Sequence, residues 1–151
     1  MARKLATLDP QRLDNQICFA IYSAAHAFNR VYKPLLDRLG LTYPQYLVML
    51  VLWERDGLTV KEIGERLFLD SGTLTPLLKR LEAAGRVRRT RDSEDERQVR
   101  ITLTEAGRTL KQQAAGVPPQ LFCAMGMDLP GLIGLKDELA QLRATLDAAP
   151  P

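Results

Sequence analysis

Apolar residues recur at every third or fourth position along most of the chain, the spacing that gives a helix one buried face. The first series lies within residues 14–39 and predicts one long helix, which Pro34 is expected to bend. A second series lies within residues 42–55 and begins with a threonine cap and a proline in the first turn. The first third of the chain is therefore predicted to be helical.

The next two apolar series are short and close together, as in a helix-turn-helix. Thr59 and Glu62 form the pattern of a capping box at the start of the first helix. The second helix is predicted to begin after Asp70, whose carboxylate can accept hydrogen bonds from the first turn, and to end at Gly85. Its polar side combines short side chains with cations: Ser71, Gly72, Thr73, Thr75, Pro76, Lys79 and Arg80. This side of the helix can therefore approach a polyanionic partner closely.

Beyond this helix pair, apolar and polar residues alternate as they do in β-strands. Residues 87–90 and 98–103 predict two strands, which the charged turn at 91–97 joins into a hairpin wing. Helical spacing resumes at Thr104, and residues 129–146 carry leucines at alternating three and four positions, a seam suited to another helix. The predicted fold class is mainly α with a small β-hairpin wing, in the element order of a winged helix-turn-helix.

Composition excludes several classes of protein. A chain of 151 residues with 46% apolar residues can fold around one core. It contains no run of about 20 apolar residues that could cross a bilayer and no secretory signal at its N-terminus, so a cytoplasmic location is expected. Two cysteines and one histidine cannot complete a structural zinc site, so neither a metal nor a cofactor is expected.

Positive charge is concentrated in one segment. The formal net charge is only +3, but residues 79–100 hold eight basic and five acidic residues, and local potential matters more than the total for binding a polyanion. The arginines that the wing is expected to present to DNA are Arg88, Arg89, Arg91 and Arg97. Arg97 lies at the tip and suits the negative potential of a minor groove, while Asp92 is expected to brace an arginine. The alternative is that this segment is only a solvated charged surface.

The two cysteines lie far apart in the sequence. Cys18 is surrounded by apolar residues of the first predicted helix, where a buried and inert thiol is the usual interpretation. Cys123 lies just beyond Pro118 and Pro119, which are expected to interrupt or end a helix, and it could approach another thiol if the loop there is mobile. In a reducing compartment a permanent disulfide is not expected, which leaves free thiols or a redox pair.

Residues 58–107, LTVKEIGERLFLDSGTLTPLLKRLEAAGRVRRTRDSEDERQVRITLTEAG, resemble the DNA-binding half of the MarR family of winged-helix repressors. The segment DSGTLTPLLKRLE, together with Cys18 and the tyrosines after it, resembles the organic hydroperoxide-sensing branch of this family, called OhrR. The presence of Cys123 makes the chain similar to the subgroup of that branch with two cysteines. The resemblance implies a helical dimerisation region at 1–41 and 104–151 that carries the thiol sensor. It implies a winged helix-turn-helix DNA-binding region at 42–103.

The resemblance also implies roles for single residues. The helix that starts at Asp70 would enter the major groove, with Ser71, Thr73 and Thr75 near base edges and Lys79 and Arg80 near phosphates. Cys18 would be the sensor that reacts with the peroxide, and Cys123 of the other subunit would resolve it as an intersubunit disulfide. The tyrosines that would support the thiolate are Tyr22, Tyr32 and Tyr43. A phenol can do so because it donates a hydrogen bond inside an apolar pocket.

The leading interpretation is a homodimeric transcriptional repressor without enzymatic activity. It would bind operator DNA while reduced and leave it when an organic hydroperoxide oxidises Cys18. One alternative is a MarR-type repressor that a small phenolic ligand releases from DNA, with both cysteines incidental. Another is a thiol peroxidase, although the chain lacks the strand and helix alternation of the thioredoxin type.

Overall fold

The computed structural model describes residues 9–150 of the chain. A 3₁₀ turn at Leu13–Asn15 precedes the first helix, α1, at Ile17–Asp37. The long predicted helix is therefore present, but it starts later and ends earlier than the apolar series. Pro34 lies in its last turn, and Gly40, at a φ of +66°, then reverses the chain in a conformation that glycine adopts without strain.

Helix α2, Tyr43–Glu54, has the start that the sequence predicts. The Thr42 side chain accepts a hydrogen bond from the Gln45 amide, and the Gln45 side chain accepts one from the Thr42 amide at 2.9 Å. The buried apolar residues of α2 are Tyr46, Val48, Met49, Val51 and Leu52. Because these residues lie on several sides of α2, this helix is surrounded by other elements and lies at the centre of the core.

The predicted helix-turn-helix consists of α3, Val60–Leu67, and α4, Ser71–Ala83. Both helices have the caps expected from the sequence, Thr59 for α3 and Asp70 for α4. The turn between them passes through Phe68, a non-glycine residue with a φ of 55°. The leucines that α4 buries are Leu74, Leu78 and Leu81. Their burial fixes one side of α4 in the core and leaves the opposite side exposed.

The wing sheet contains β1, Leu58–Thr59, β2, Val87–Arg91, and β3, Val99–Leu103. The strands pair antiparallel in the order β1-β3-β2. The alternating pattern predicts the hairpin of β2 and β3, which the structure confirms, but two residues are too short to show β1. Arg89 of β2 pairs with Ile101 of β3, which is fully buried, so this register turns the Arg89 side of β2 toward the core.

The remaining helices are α5 at Glu105–Gln113, α6 at Val117–Met125 and α7 at Leu129–Asp147. The expectation that Cys123 lies in a loop is wrong, because this residue lies within α6. Pro118 and Pro119 fall in the first turn of α6, where the missing N–H groups would have no helical partner in any case. The prolines that indicate a break in the sequence therefore mark a helix start.

The described residues form two compact units that divide between Val117 and Pro118. The first unit contains α1 to α5 and the sheet, and α7 lies in the second. The predicted fold class, mainly α with a β-hairpin wing, is confirmed. The division of the chain into dimerisation and DNA-binding regions stays a prediction. Across residues 9–150, no helix combines the length and the apolar character needed to span a membrane.

Candidate nucleic-acid interface and thiol site

The outer side of α4 carries the whole set of residues that the sequence assigns to it. Those that are exposed are Ser71, Gly72, Thr73, Pro76, Lys79 and Arg80, and Thr75 is half-buried. The Thr73 hydroxyl donates to the Asp70 carboxylate at 3.0 Å, and the Thr75 hydroxyl donates to the Ser71 carbonyl at 2.7 Å. Each hydroxyl keeps lone pairs that can accept a hydrogen bond from a base amino group. The surface is therefore chemically suited to the edges of base pairs.

The wing arginines fall into two sets. Those that are exposed are Arg88, Arg91 and Arg97. Arg89 instead lies on the core side of β2, where its amide donates to the Glu82 carboxylate of α4 at 3.0 Å and its guanidinium lies 3.5 Å from the same group. The sequence groups Arg89 with the arginines that support Arg97, whereas the structure places it as a link between the wing and α4.

Asp92 is a buried carboxylate at the start of the wing turn. It accepts hydrogen bonds from the amides of Glu94 and Asp95 and from the Arg100 guanidinium, at 2.8 Å for the Nε atom. The two backbone amides and Arg100 hold the pKa of Asp92 below its ordinary value, the Glu94 amide having the largest effect. Arg100 also donates to the Gly57 carbonyl, so this ion pair ties the turn to the segment before β1.

Cys18 lies in the first turn of α1 and its side chain is exposed in the chain on its own. Tyr32 lies on the same continuous helix. With a rise of about 1.5 Å per residue, the two positions are separated by about 21 Å along the helix axis. The structure therefore does not bring this thiol near Tyr32 of the same chain.

Tyr32 and Tyr43 form one cluster at the junction of α1 and α2, with ring centroids 4.6 Å apart. Burial raises the pKa of both phenols, and for Tyr32 the neighbouring Tyr43 and Tyr46 raise it further. Both side chains are therefore protonated hydrogen-bond donors at neutral pH. They line a cavity of about 300 Å³ together with Leu36 and Pro44. The lining also contains Lys33 and Asp37, which form an ion pair, so the pocket combines neutral phenol donors with apolar and charged side chains.

Tyr46 also belongs to this cluster, with its ring centroid 6.0 Å from that of Tyr32, although it is not among the tyrosines predicted from the sequence. Its position one helical turn after Tyr43 is a signal that could have found it. Tyr22, in contrast, is exposed and stacks edge-on against His26 at 4.3 Å between ring centroids. The three predicted tyrosines therefore divide into a pair at one end of α1 and a single residue one turn after Cys18.

Cys123 is exposed on α6 and is also a free thiol. Cys18 and Cys123 lie in different compact units. Within residues 9–150, no group of His, Cys, Asp and Glu side chains has an arrangement that could hold a metal ion.

Comparison with known proteins identifies regulators of transcription. A family model described as transcriptional regulator SarA/Rot matches residues 30–114, more than half of the chain. The chain is 61% identical over 140 residues to the HTH-type transcriptional regulator TtmR of Methylorubrum extorquens, covering 93% of this chain and 72% of that protein. It is 49% identical over 138 residues to the organic hydroperoxide resistance transcriptional regulator of Bacillus subtilis, covering 91% and 94%.

Solved structures agree with the sequence relatives. Reduced AbfR bound to DNA has a TM-score of 0.79 and 36% identity, covering 97% of each chain. Disulfide-formed AbfR matches with the same identity and coverage and a TM-score of 0.62. These proteins are regulators, and the chain is accordingly a transcriptional regulator and not an enzyme. It belongs to the MarR-type winged-helix transcriptional regulators, in the branch of the organic hydroperoxide resistance regulators.

Proposed function

We propose that the protein is a homodimeric repressor that acts in the cytoplasm, binds operator DNA while Cys18 is reduced, and leaves the DNA when an organic hydroperoxide oxidises this thiol. The observation that carries the proposal is the placement of Cys18 and the Tyr32 and Tyr43 pair at opposite ends of one helix. A second copy of α1 that runs antiparallel to the first would bring each thiol to the partner's phenols. Twofold symmetry would then create two equivalent sites.

Exposed apolar surface supports a dimer. In the single chain, α1 exposes Ile17, Phe19, Ile21, Tyr22, Phe28 and Val31. Helix α7 exposes Leu129, Ile133, Leu135, Leu139 and Leu146. Each helix by itself leaves several large apolar side chains exposed, so both helices are suited to be covered by a second copy of the chain in a twofold dimer.

The DNA contacts follow from the exposed sides of α4 and the wing. Helix α4 enters the major groove, where Thr73 and Thr75 approach base edges and Lys79 and Arg80 approach phosphates, while Ser71 lies in the first turn at the edge of the groove. Arg97 enters the adjacent minor groove, and Arg88 and Arg91 contact the backbone beside it. The similar protein AbfR is known in a DNA-bound form, which supports DNA binding by this fold.

The redox step begins at Cys18. Its thiolate attacks one peroxide oxygen, so the O–O bond breaks, an S–O bond forms, and the organic fragment leaves as an alcohol after taking a proton. The sulfur is oxidised by two electrons to a sulfenic acid while the peroxide is reduced. The Cys123 thiol of the partner subunit then displaces water from the sulfenic acid and forms a disulfide. Phenol donors from Tyr32 and Tyr43 stabilise the thiolate, and Tyr22 lies beside it.

Release from DNA follows from the geometry of a dimeric reader. Two copies of α4 must lie about 34 to 36 Å apart to enter successive major grooves on one face of the duplex. A disulfide requires its two Cα atoms to lie within about 7 Å of each other. A bond between Cys18 and Cys123 of different subunits therefore constrains the helices that set the distance between the two readers.

The test compares DNA affinity before and after one equivalent of cumene hydroperoxide at a stated salt concentration. Wild-type protein is expected to lose affinity, Cys18→Ser to bind equally well in both conditions, and Cys123→Ser to respond without forming a linked dimer on non-reducing electrophoresis. Release of Cys18→Ser by the peroxide would refute the redox mechanism.

The cavity at the α1 and α2 junction supports one second candidate, a repressor that a small phenolic ligand releases. Its volume of about 300 Å³ and its two phenol side chains suit an aromatic ligand. In that case salicylate would release Cys18→Ser and wild-type protein equally, and peroxide would release neither. The same pair of proteins thus separates the two candidates.

A further inference from the structure

A second cavity, of about 260 Å³, lies where α3, α4 and the wing meet. Its walls combine cationic, polar and apolar side chains from the start of α3, the first turns of α4 and the end of the wing turn: Thr59, Val60, Lys61, Ser71, Thr75, Arg97, Gln98 and Val99. We propose that this cavity holds one backbone phosphate of the DNA and that Lys61 is its main cation. The proposal rests on the proposed DNA-binding function and assigns contacts beyond it.

Lys61 is able to turn toward a phosphate. In the free protein its Nζ atom lies 4.0 Å from the Glu65 carboxylate, and both side chains are largely exposed, at 79% and 66%. An exposed ion pair of this kind contributes little free energy, so exchanging Glu65 for a phosphate costs little. The only cation of α3 that lines this cavity, within residues 9–150, is therefore available to the DNA.

The hydroxyl groups of the cavity have distinct functions. The Thr59 hydroxyl donates to Glu62 and the Thr75 hydroxyl donates to the Ser71 carbonyl, so both protons are used within the protein. Ser71 supplies the hydroxyl that can donate to a phosphate oxygen. Its assignment to base edges from the sequence is therefore replaced, in this proposal, by a contact with the backbone.

The position of the cavity favours a DNA phosphate over other anions. The backbone runs along the edge of the groove that α4 enters, so a phosphate must pass beside the first turns of this helix. Arg97 lies at the same cavity and has Asp95 at 3.3 Å as its carboxylate neighbour, in an exposed pair that the stronger charge of DNA can separate. One phosphate in this cavity would touch the helix-turn-helix and the wing together.

The experiment measures the salt dependence of operator binding for Lys61→Gln. The operator is a duplex that the reduced wild-type protein selects from a random library, and a scrambled duplex serves as the non-specific partner. A dimer loses two phosphate contacts, so the slope of log K against log salt should become smaller by about 1.8. Because a phosphate carries no sequence information, affinity should fall by the same factor on both duplexes.

Two further variants sharpen the test. Lys136→Gln is the matched control, since Lys136 is also an exposed lysine beside a carboxylate, at 3.1 Å from Asp137 on α7, and its slope should stay unchanged. Glu65→Gln removes the competing carboxylate and should raise affinity about twofold. The opposite signs of the Lys61 and Glu65 effects distinguish a phosphate contact from general damage to α3.

The outcomes separate this proposal from the proposed function. Specific binding by wild-type protein with an unchanged slope for Lys61→Gln would overturn the phosphate contact and leave the repressor assignment intact. A loss confined to the operator, with no change on the scrambled duplex, would also overturn it, because it would indicate base readout. Failure of wild-type protein to bind any duplex would refute both proposals.

Discussion

The distance between Cys18 and Tyr32 along α1 makes a definite prediction about mixed dimers. In the first mixed dimer, one protomer carries Cys18→Ser and the other carries Tyr32→Phe together with Tyr43→Phe. In the second, one protomer carries all three substitutions and its partner is wild type. Both dimers contain the same six side chains in total, so they differ only in how the side chains are distributed.

If each thiol uses the phenols of its partner, the first dimer retains one complete site and the second retains none. If each thiol used phenols of its own chain, the second dimer would retain the complete site. About 21 Å of helix between Cys18 and Tyr32 rules out the latter arrangement for an intact α1. The first dimer is therefore expected to respond to peroxide and the second to respond poorly.

The size of the difference follows from the two hydrogen bonds. A hydrogen bond to a charged group contributes at least about 1.5 kcal/mol, so loss of two phenol donors costs the thiolate about 3 kcal/mol. At about 1.4 kcal/mol for each factor of ten, this is about a hundredfold in thiolate stability. Because a stabilised thiolate is also a weaker nucleophile, oxidation of the remaining thiol should slow by about tenfold. The rate is measured by quenched-flow mass spectrometry of the Cys18 peptide after mixing with cumene hydroperoxide, on dimers purified through two different tags.

Tyr46→Phe in both protomers provides the control. Tyr46 belongs to the same aromatic cluster, with its centroid 6.0 Å from that of Tyr32, but it does not line the cavity. Its substitution is expected to leave the oxidation rate unchanged. Equal rates in the two mixed dimers, or a faster rate in the second, would refute the assignment of thiol and phenols to different subunits.

Three further predictions concern stability and the wing. Gly107→Ala should lower the free energy of unfolding by about 3 kcal/mol, because the new Cβ would lie 2.1 Å from the backbone carbonyl oxygen of Arg86. Urea unfolding measures this free energy, and Ala106→Gly in the same helix is the control for helix propensity. An unchanged urea midpoint for Gly107→Ala would contradict the clash. Phe68→Gly should raise stability by about 1 kcal/mol, since it removes a side chain from a φ of 55°; a lower melting temperature would show that the side chain stabilises the turn. Asp92→Asn should weaken DNA binding, because the wing turn loses a charged acceptor for Arg100. The pKa of Asp92 is lowered in the folded protein, so the carboxylate stabilises the fold above the ordinary carboxyl pKa and loses this effect as the pH falls through the folded pKa. Unfolding curves of the wild-type and variant proteins should therefore converge in strong acid.

Local signals predicted the helix starts well. Thr42, Thr59 and Asp70 cap their helices as the sequence indicates, because a cap depends on residues within one turn of each other. The start of α6 was missed for a related reason. The same proline signal is compatible with the end of one helix and with the first turn of the next, and only the packed structure decides between them.

The sequence predicts which residues belong to the candidate sites, but it does not predict how the fold arranges them. Strand alternation could have separated Arg89 from Arg88, since neighbours in a strand point to opposite faces. The separation of Cys18 from Tyr32 also follows from helix geometry once α1 is known to be continuous. In contrast, the cavity at Lys61 joins three elements that are distant in the sequence, and no local pattern indicates it.

Two contacts hold the wing in place, and neither involves the helix that carries Cys18. Arg89 links the wing to α4 through Glu82, and Arg100 links the wing turn to Gly57, so the elements proposed to bind the operator are held together by contacts among themselves. The residues around Cys18 lie on α1 and take no part in either contact. Substitutions there can accumulate without rewriting the preferred operator, and homologues that recognise similar DNA are expected to answer to different chemical stimuli.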